Sequence, residues 1–495
     1  MNYLLIARNV GYLLILLAVS MGVCLGLGYV LPAGLGHSSE KALNGWEISM
    51  GITLVVAVAL LLVGRKAKSS VILRRDAVGI VGIGWLVSSA FAALPYMLCE
   101  PGLGVTAAYF ESVSGLTTTG ASVFENLVAL PQTILLWRSL TQWIGGLGIL
   151  AMFVLVLSGL GASGRNLFQG ESSAQLREFA GAPIRETARS LWILYIVLTI
   201  VCGLGLKLFG MTWFQAVNHA LTTTSTGGFG TEGDSLNGFG APVRLWVLFF
   251  MFACGVSFPL YLILLHKGRD WRTLKSHDES RSFVIILVVV SICLISSRAV
   301  TDNFESGFWE GALETVFNVV SVATTTGFVI GDYDSWPAVT KGFILFLMIV
   351  GGCAGSTAGG LKVSRLLLWF RMVRIEIRRA FRPNETVSLR LNGRPVPEGT
   401  RGQLFVIITA AVAAICVSSV ILVALEPEMS VDGCVSAVIT CVSNVGPAFN
   451  EFGPTHNFAK LSAPGMVLLS LLMILGRLEY VALLALFSRT LWKRF

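Results

Sequence analysis

Ser114-Gly-Leu-Thr-Thr-Thr-Gly-Ala-Ser122 is a run of hydroxyl side chains closed by a glycine and set between two long apolar segments. Related runs end at Gly227 (Thr-Thr-Thr-Ser-Thr-Gly), Gly327 (Ala-Thr-Thr-Thr-Gly) and Gly446 (Thr-Cys-Val-Ser-Asn-Val-Gly). Aligned on Gly120, the copies lie 107, 100 and 119 residues apart. Three residues before the glycines stand Thr117, Thr224, Thr324 and Ser443, and nine before stand Glu111, Asn218, Asn318 and Ala437. Four copies in register predict a fourfold pore.

The flanking sequence says what the pore crosses. Of the 495 residues 54% are hydrophobic and 13% charged, with mean hydropathy +0.76, against about 25% charged in a soluble globule. Ten apolar segments near 10–31, 48–64, 78–98, 132–160, 185–209, 243–266, 281–300, 340–370, 403–425 and 463–488 have the length that spans a bilayer. The first is longer than a signal-peptide core and has no convincing cleavage site, so it reads as a retained span. The nine cysteines lie scattered in apolar stretches and read as small packing residues.

Charge placement sets the expected topology. Segments 65–76, 266–281 and 362–401 are rich in Lys and Arg and are expected on the cytoplasmic side. Residues 98–131 and 301–336, which carry two of the glycine runs, are acidic and expected outside. Inner-leaflet lipid and this topology account for the net charge of +8 without nucleic acid.

The expected fold is therefore an all-α integral membrane protein, with an N-terminal two-helix hairpin and four tandem helix/pore-loop/helix repeats. The divisions are 1–76 (hairpin and basic loop), 77–175, 176–278, 279–395 and 396–495. The short segment before each glycine is too short to span and reads as a re-entrant pore helix. Glycine enters left-handed backbone cheaply, as a carbonyl-lined filter requires. The candidate ion ligands are the carbonyls of Thr118, Thr119, Gly120, Ser225, Thr226, Gly227, Thr325, Thr326, Gly327, Asn444, Val445 and Gly446.

A second glycine mark follows in each closing span, at Gly146, Gly255, Gly352 and Gly476. In the third repeat it grows into Gly-Gly-Cys-Ala-Gly-Ser-Thr-Ala-Gly-Gly, 351–360, where a helix is expected to break. Gly351, Gly352, Gly355, Gly359 and Gly360 then form either a movable gate or a passive kink. Arg477 in an apolar stretch either faces the pore or pairs with Glu479 or the helix ends near the break. Arg138 and Gln142 sit near the outer end of their span, where a snorkelling arginine is expected. The histidines are dispersed, and neither a metal or nucleophile constellation nor a nucleotide-binding fingerprint is visible, so any nucleotide control would come from another subunit.

Thr-Thr-Thr-Gly-Ala-Ser (117–122), Trp-Arg-Ser-Leu-Thr-Gln-Trp-Ile-Gly-Gly (137–146), Thr-Ser-Thr-Gly-Gly-Phe (224–229), Thr-Thr-Thr-Gly-Phe (324–328), Ala-Gly-Ser-Thr-Ala-Gly-Gly-Leu-Lys (354–362) and Gly-Arg-Leu-Glu (476–479) carry a resemblance. The chain resembles, over essentially its whole length, the Trk/Ktr/HKT superfamily of potassium transporters, TrkH type. The resemblance implies K⁺ uptake at a bacterial inner membrane by a homodimer with one pore per protomer, regulated by a cytosolic nucleotide-binding RCK ring. It also implies that 351–360 is the gate and that Arg477 lies in the permeation path. Members with serine for a filter glycine tend to pass Na⁺, and here all four positions are glycine. A proton- or sodium-coupled symporter is the alternative, for which Glu111, Glu314 and Glu479 are the candidate coupling carboxylates.

Overall fold

The computed structural model describes residues 2–30, 40–67, 74–159, 184–266, 277–301, 304, 307–382, 388–396 and 398–480. Helices α1 (Tyr3–Val30) and α2 (Glu40–Gly64) form the N-terminal hairpin, with α1 packed on α2 and on the two long helices of the first repeat. That repeat comprises α3 (Arg74–Ala92), the short α4 (Leu94–Leu98), α5 (Val105–Leu116) and α6 (Gln132–Gly159). The second comprises α7 (Ile184–Leu208), α8 (Trp213–Thr224), α9 (Ala241–Gly255) and α10 (Phe258–His266). The third comprises α11 (Asp278–Thr301), α12 (Phe308–Ala323), α13 (Ala338–Val350) and α14 (Val363–Phe381), followed by β1 (Arg390–Leu391) and β2 (Arg394–Pro395), antiparallel with Leu391 opposite Arg394. The fourth comprises α15 (Glu398–Leu425), α16 (Val431–Ser443) and α17 (Ala463–Arg477).

The helix starts are written locally. Thr212 and Gln215 form a reciprocal capping box at α8, Ser430 and Ser462 accept N–H groups at the starts of α16 and α17, and proline opens α9 and α17. Each closing helix packs on the next repeat's pore helix: α6 on α8, α9 on α12, α13 on α16, and α17 back on α5. These contacts close the four helix groups into a ring.

The expected spans need correction in two places. The segment 243–266 is two helices meeting at 90°, because Val256 is extended and Pro259 lacks the N–H that would continue the helix. The segment 463–488 likewise does not run on as one helix, since α17 stops at Arg477 and Glu479 and Tyr480 turn left-handed, whereas the break expected within 340–370 falls between Val350, where α13 stops, and Val363, where α14 begins. Six described helices are long and apolar enough to span alone, and the bent pair makes a seventh. The repeat boundary at 175/176, parts of the basic loops (68–73 and 267–276) and the C-terminal 481–495 lie outside the described residues.

Candidate functional site

All four loops take one backbone path. Each pore helix ends, and the next residue or the cap itself turns left-handed: Thr118 (φ 53°), Thr226 (53°), Thr325 (53°) and Asn444 (57°). Two residues later comes a left-handed glycine: Gly120 (86°), Gly228 (75°), Gly327 (82°) and Gly446 (111°). Between them, the N–H groups of Thr119, Gly227, Thr326 and Val445 donate to the carbonyls of Ser114, Thr222, Ser321 and Thr440 at 2.8–3.0 Å. Left-handed threonine is strained by about 1–3 kcal/mol because its branched Cβ crowds the backbone.

The second repeat is therefore shifted by one residue from the sequence alignment. Gly228, not Gly227, is equivalent to Gly120, and Ser225 is a right-handed cap like Thr117 and Thr324, in the place that Ser443 takes at the end of its helix. Two adjacent glycines, Gly227 and Gly228, make the choice invisible to spacing.

The equivalent glycines approach one another's loops in a cycle. A side-chain carbon on Gly120 would lie 2.3 Å from Gly227 O, one on Gly228 2.0 Å from Thr326 O, one on Gly327 2.2 Å from Val445 O, and one on Gly446 2.7 Å from Thr119 O. Each glycine thus meets the carbonyl preceding the next repeat's glycine, and the fourth returns to the first. No other side chain fits there without moving backbone.

In three of the repeats the residue nine before the glycine braces the extended segment that follows. Glu111 Oε2 accepts the Val123 N–H at 2.9 Å, and Asn318 both donates to Ile330 O at 2.6 Å and accepts its N–H at 3.3 Å. In the corrected register His219 takes this place and faces Thr231 Oγ1 at 3.4 Å. The fourth repeat has Ala437 there, and neighbouring Ser436 accepts the Phe449 N–H at 3.2 Å.

Arg138 and Gln142 belong to this brace. Arg138 is 1% exposed, so it is not a snorkelling residue: its Nε donates to Glu111 Oε1 at 2.8 Å, Nη2 to Ser122 Oγ at 3.1 Å and Nη1 to Gly230 O at 3.3 Å. A buried carboxylate on the adjacent pore helix holds it inward, which the sequence showed as two unrelated residues. Gln142 Nε2 donates to Gly227 O at 2.6 Å while its Oε1 accepts the Phe229 N–H at 3.1 Å.

The segment 351–362 packs against three of these loops. Gly359 N–H donates to Thr325 Oγ1 at 2.6 Å, Gly360 N–H to Ser443 O at 2.9 Å, and Thr357 Oγ1 to Thr224 O at 3.2 Å. Gly351, Gly355 and Gly360 have φ of 70–76°, and Gly352 packs against Ala358. The Lys362 ammonium donates to Ala358 O. Arg477, from α17, donates to Thr357 O at 2.9 Å and to Gly145 O at 3.5 Å. Glu479 is instead ion-paired with Arg365. The other two carboxylates considered for ion coupling also have arginine partners, Glu111 with Arg138 and Glu314 with Arg298.

The TrkH family, described as "Cation transport protein", matches residues 47–304 and 307–494. The Trk system potassium uptake protein TrkH of Salmonella typhimurium is 33% identical over 501 residues, covering 100% of both chains. That of Escherichia coli K12 is 32% identical over 505 residues, again covering 100% of both. The crystal structure of the potassium transporter TrkH from Vibrio parahaemolyticus superposes with a TM-score of 0.87 at 29% identity, over 100% of each chain.

Proposed function

The chain belongs to the TrkH family of cation transport proteins, and from that premise we propose that it takes up potassium across a bacterial inner membrane. The relatives' names are those of potassium uptake proteins and not of enzymes. In this reading a K⁺ ion sheds water and passes between carbonyls of Thr118, Thr119 and Gly120, Thr226, Gly227 and Gly228, Thr325, Thr326 and Gly327, and Asn444, Val445 and Gly446. The observation that carries it is the closed cycle of glycine-to-carbonyl approaches. Uncharged oxygens from four sides replace a hydration shell without trapping the ion. Four pore helices end at these loops and add the partial negative charge of their C-termini.

The loop 351–362 is the proposed gate, since it bonds to three of the four loops, and Arg477 latches it through Thr357 O. The repeat divisions given above, pore loops facing the periplasm and basic loops and C-terminus facing the cytoplasm, belong to the same proposal. So do a homodimer and an RCK ring, resembling TrkA and binding the nucleotide that this chain is not expected to bind. The basic helix α14, with Arg374 and Arg378 exposed, suits the docking of that ring.

Replacing Gly120 with Ser and measuring K⁺ against Na⁺ flux in proteoliposomes tests the filter. Selectivity is expected to fall by about tenfold or more, as expected from a left-handed penalty of roughly 1–2 kcal/mol with a steric clash added. Unchanged selectivity rejects the assignment. Passive flux without an ion gradient separates this reading from coupled symport.

A further inference from the structure

Asp278 and Glu279 open α11, and their carboxylates reach in different directions. Asp278 Oδ2 accepts from Arg371 of α14 and from the Asn392 N–H of the β1–β2 turn, both at 2.9 Å. Glu279 is 3% exposed, and its Oε1 accepts the N–H of Ala354 at 2.6 Å and that of Ser364 at 3.2 Å. One oxygen therefore ties Ala354, near the start of the intramembrane loop, to Ser364 in the first turn of α14, just beyond its end.

That loop needs such a tie. It carries five glycines within 351–360 and four residues of positive φ: Gly351, Gly355, Gly360 and Lys362. Ordering backbone of this kind costs about 1–2 kcal/mol per residue, and α13 has already ended when the loop begins. Two backbone N–H groups satisfied by one buried oxygen offset part of that cost. A carboxylate in the first turn is also favoured by its own helix. The permeation reading uses no part of Glu279.

We propose that Glu279 is a positioning residue that clasps Ala354 to Ser364 and so holds the 351–362 loop against the glycine loops. The clasp stands on its own geometry, and its effect on transport rests on the reading of this loop as the gate. Because both N–H groups converge on one oxygen, a glutamine carbonyl can replace the carboxylate, whereas alanine cannot.

The test is hydrogen exchange of the full-length protein in lipid nanodiscs, following peptides that contain the Ala354 and Ser364 amides, with K⁺ and Na⁺ flux measured in parallel. Glu279→Ala is expected to speed exchange there by about tenfold or more while the pore helices keep their protection. Glu279→Gln is expected to stay within about twofold of the parent. Flux is expected to rise in Glu279→Ala with the K⁺/Na⁺ ratio unchanged, a pattern that general misfolding does not give. Should Glu279→Ala fail to fold, Glu279→Asp retains the charge but falls one methylene short, and faster exchange at the same two amides is expected. Parent-like exchange in the alanine or aspartate variant overturns the clasp, as does a glutamine variant as loose as alanine. Faster exchange with unchanged flux supports the clasp and rejects the gate.

Discussion

Asn444 Nδ2 donates a 2.9 Å hydrogen bond to Thr119 Oγ1 across 325 residues of sequence. The same amide donates to Met473 O at 2.9 Å, so one side chain joins the fourth loop to the first and to its own closing helix. Asn444 also bears the left-handed turn that threonine bears in the other repeats, and asparagine tolerates that conformation better. Asn444→Ala is expected to lower K⁺/Na⁺ selectivity severalfold in proteoliposome flux, because the seam between first and last repeats loses its bond. Parent-like selectivity would remove this seam from the account.

The one-residue shift in the second repeat predicts different behaviour for two adjacent glycines. A Cβ on Gly228 would meet the backbone carbonyl of Thr326, whereas one on Gly227 would meet the Gln142 side chain at 2.4 Å. Gly228→Ala should therefore lose about tenfold or more in selectivity and resist rescue, since it also stands at positive φ. Gly227→Ala should recover in part when Gln142 is shortened to Ala. Ion flux in the single and double variants checks both statements.

The buried Arg138–Glu111 pair predicts a strong asymmetry between single and double variants. Removing one partner leaves an uncompensated buried charge, at a cost of about 3–5 kcal/mol. Glu111→Gln is thus expected to lower thermal stability in detergent more than Glu111→Gln combined with Arg138→Gln. Equal losses would mean that the pair acts independently of charge.

Arg477 predicts a change in conduction without a change in ion preference. Its bond to Thr357 O is a direct link between α17 and the loop. Arg477→Ala is expected to raise K⁺ flux severalfold at an unchanged K⁺/Na⁺ ratio, as read in the same proteoliposomes. A fall in selectivity would place the arginine in the filter's support.

His277, just before α11, predicts acid sensitivity. Its Nε2 lies 3.1 Å from Asn392 Nδ2, and Asn392 Oδ1 is taken by the Asp278 N–H, so the amide group facing the ring is a donor. Burial pushes the imidazole down to about 4 from its ordinary 6.5, despite the nearby Asp278 carboxylate. A folded-state value below the unfolded one gives stability that is fully present above pH 6.5 and lost as pH falls toward 4. The stability of the parent should therefore fall more over that window than that of His277→Asn, as followed by thermal unfolding at each pH. Parallel curves would contradict the assignment.

The fourfold plan was legible because four hydroxyl–glycine runs recur between apolar spans, and each run is local. The helix break at 351–362 was legible for the same reason, as a cluster of glycines. Register in the second repeat was not, because Gly227 and Gly228 are chemically identical and the backbone chooses between them through contact with Thr326 in another repeat. The roles of Arg138 and Glu279 were likewise hidden, since their partners lie 27 and at least 75 residues away. The β1–β2 turn does carry a local signal, Asn392-Gly393, a pair suited to two left-handed positions.

The most direct test of the account is cation flux through the purified protein in proteoliposomes under an imposed voltage, with no proton or sodium gradient. K⁺, Rb⁺, Na⁺ and Li⁺ are compared with and without the nucleotide-bound ring proposed as the partner. The account predicts K⁺ and Rb⁺ flux well above Na⁺ and Li⁺, with that preference lost in Gly120→Ser. Equal passage of all four ions, or no passage in either condition until a proton or sodium gradient is applied, would contradict it.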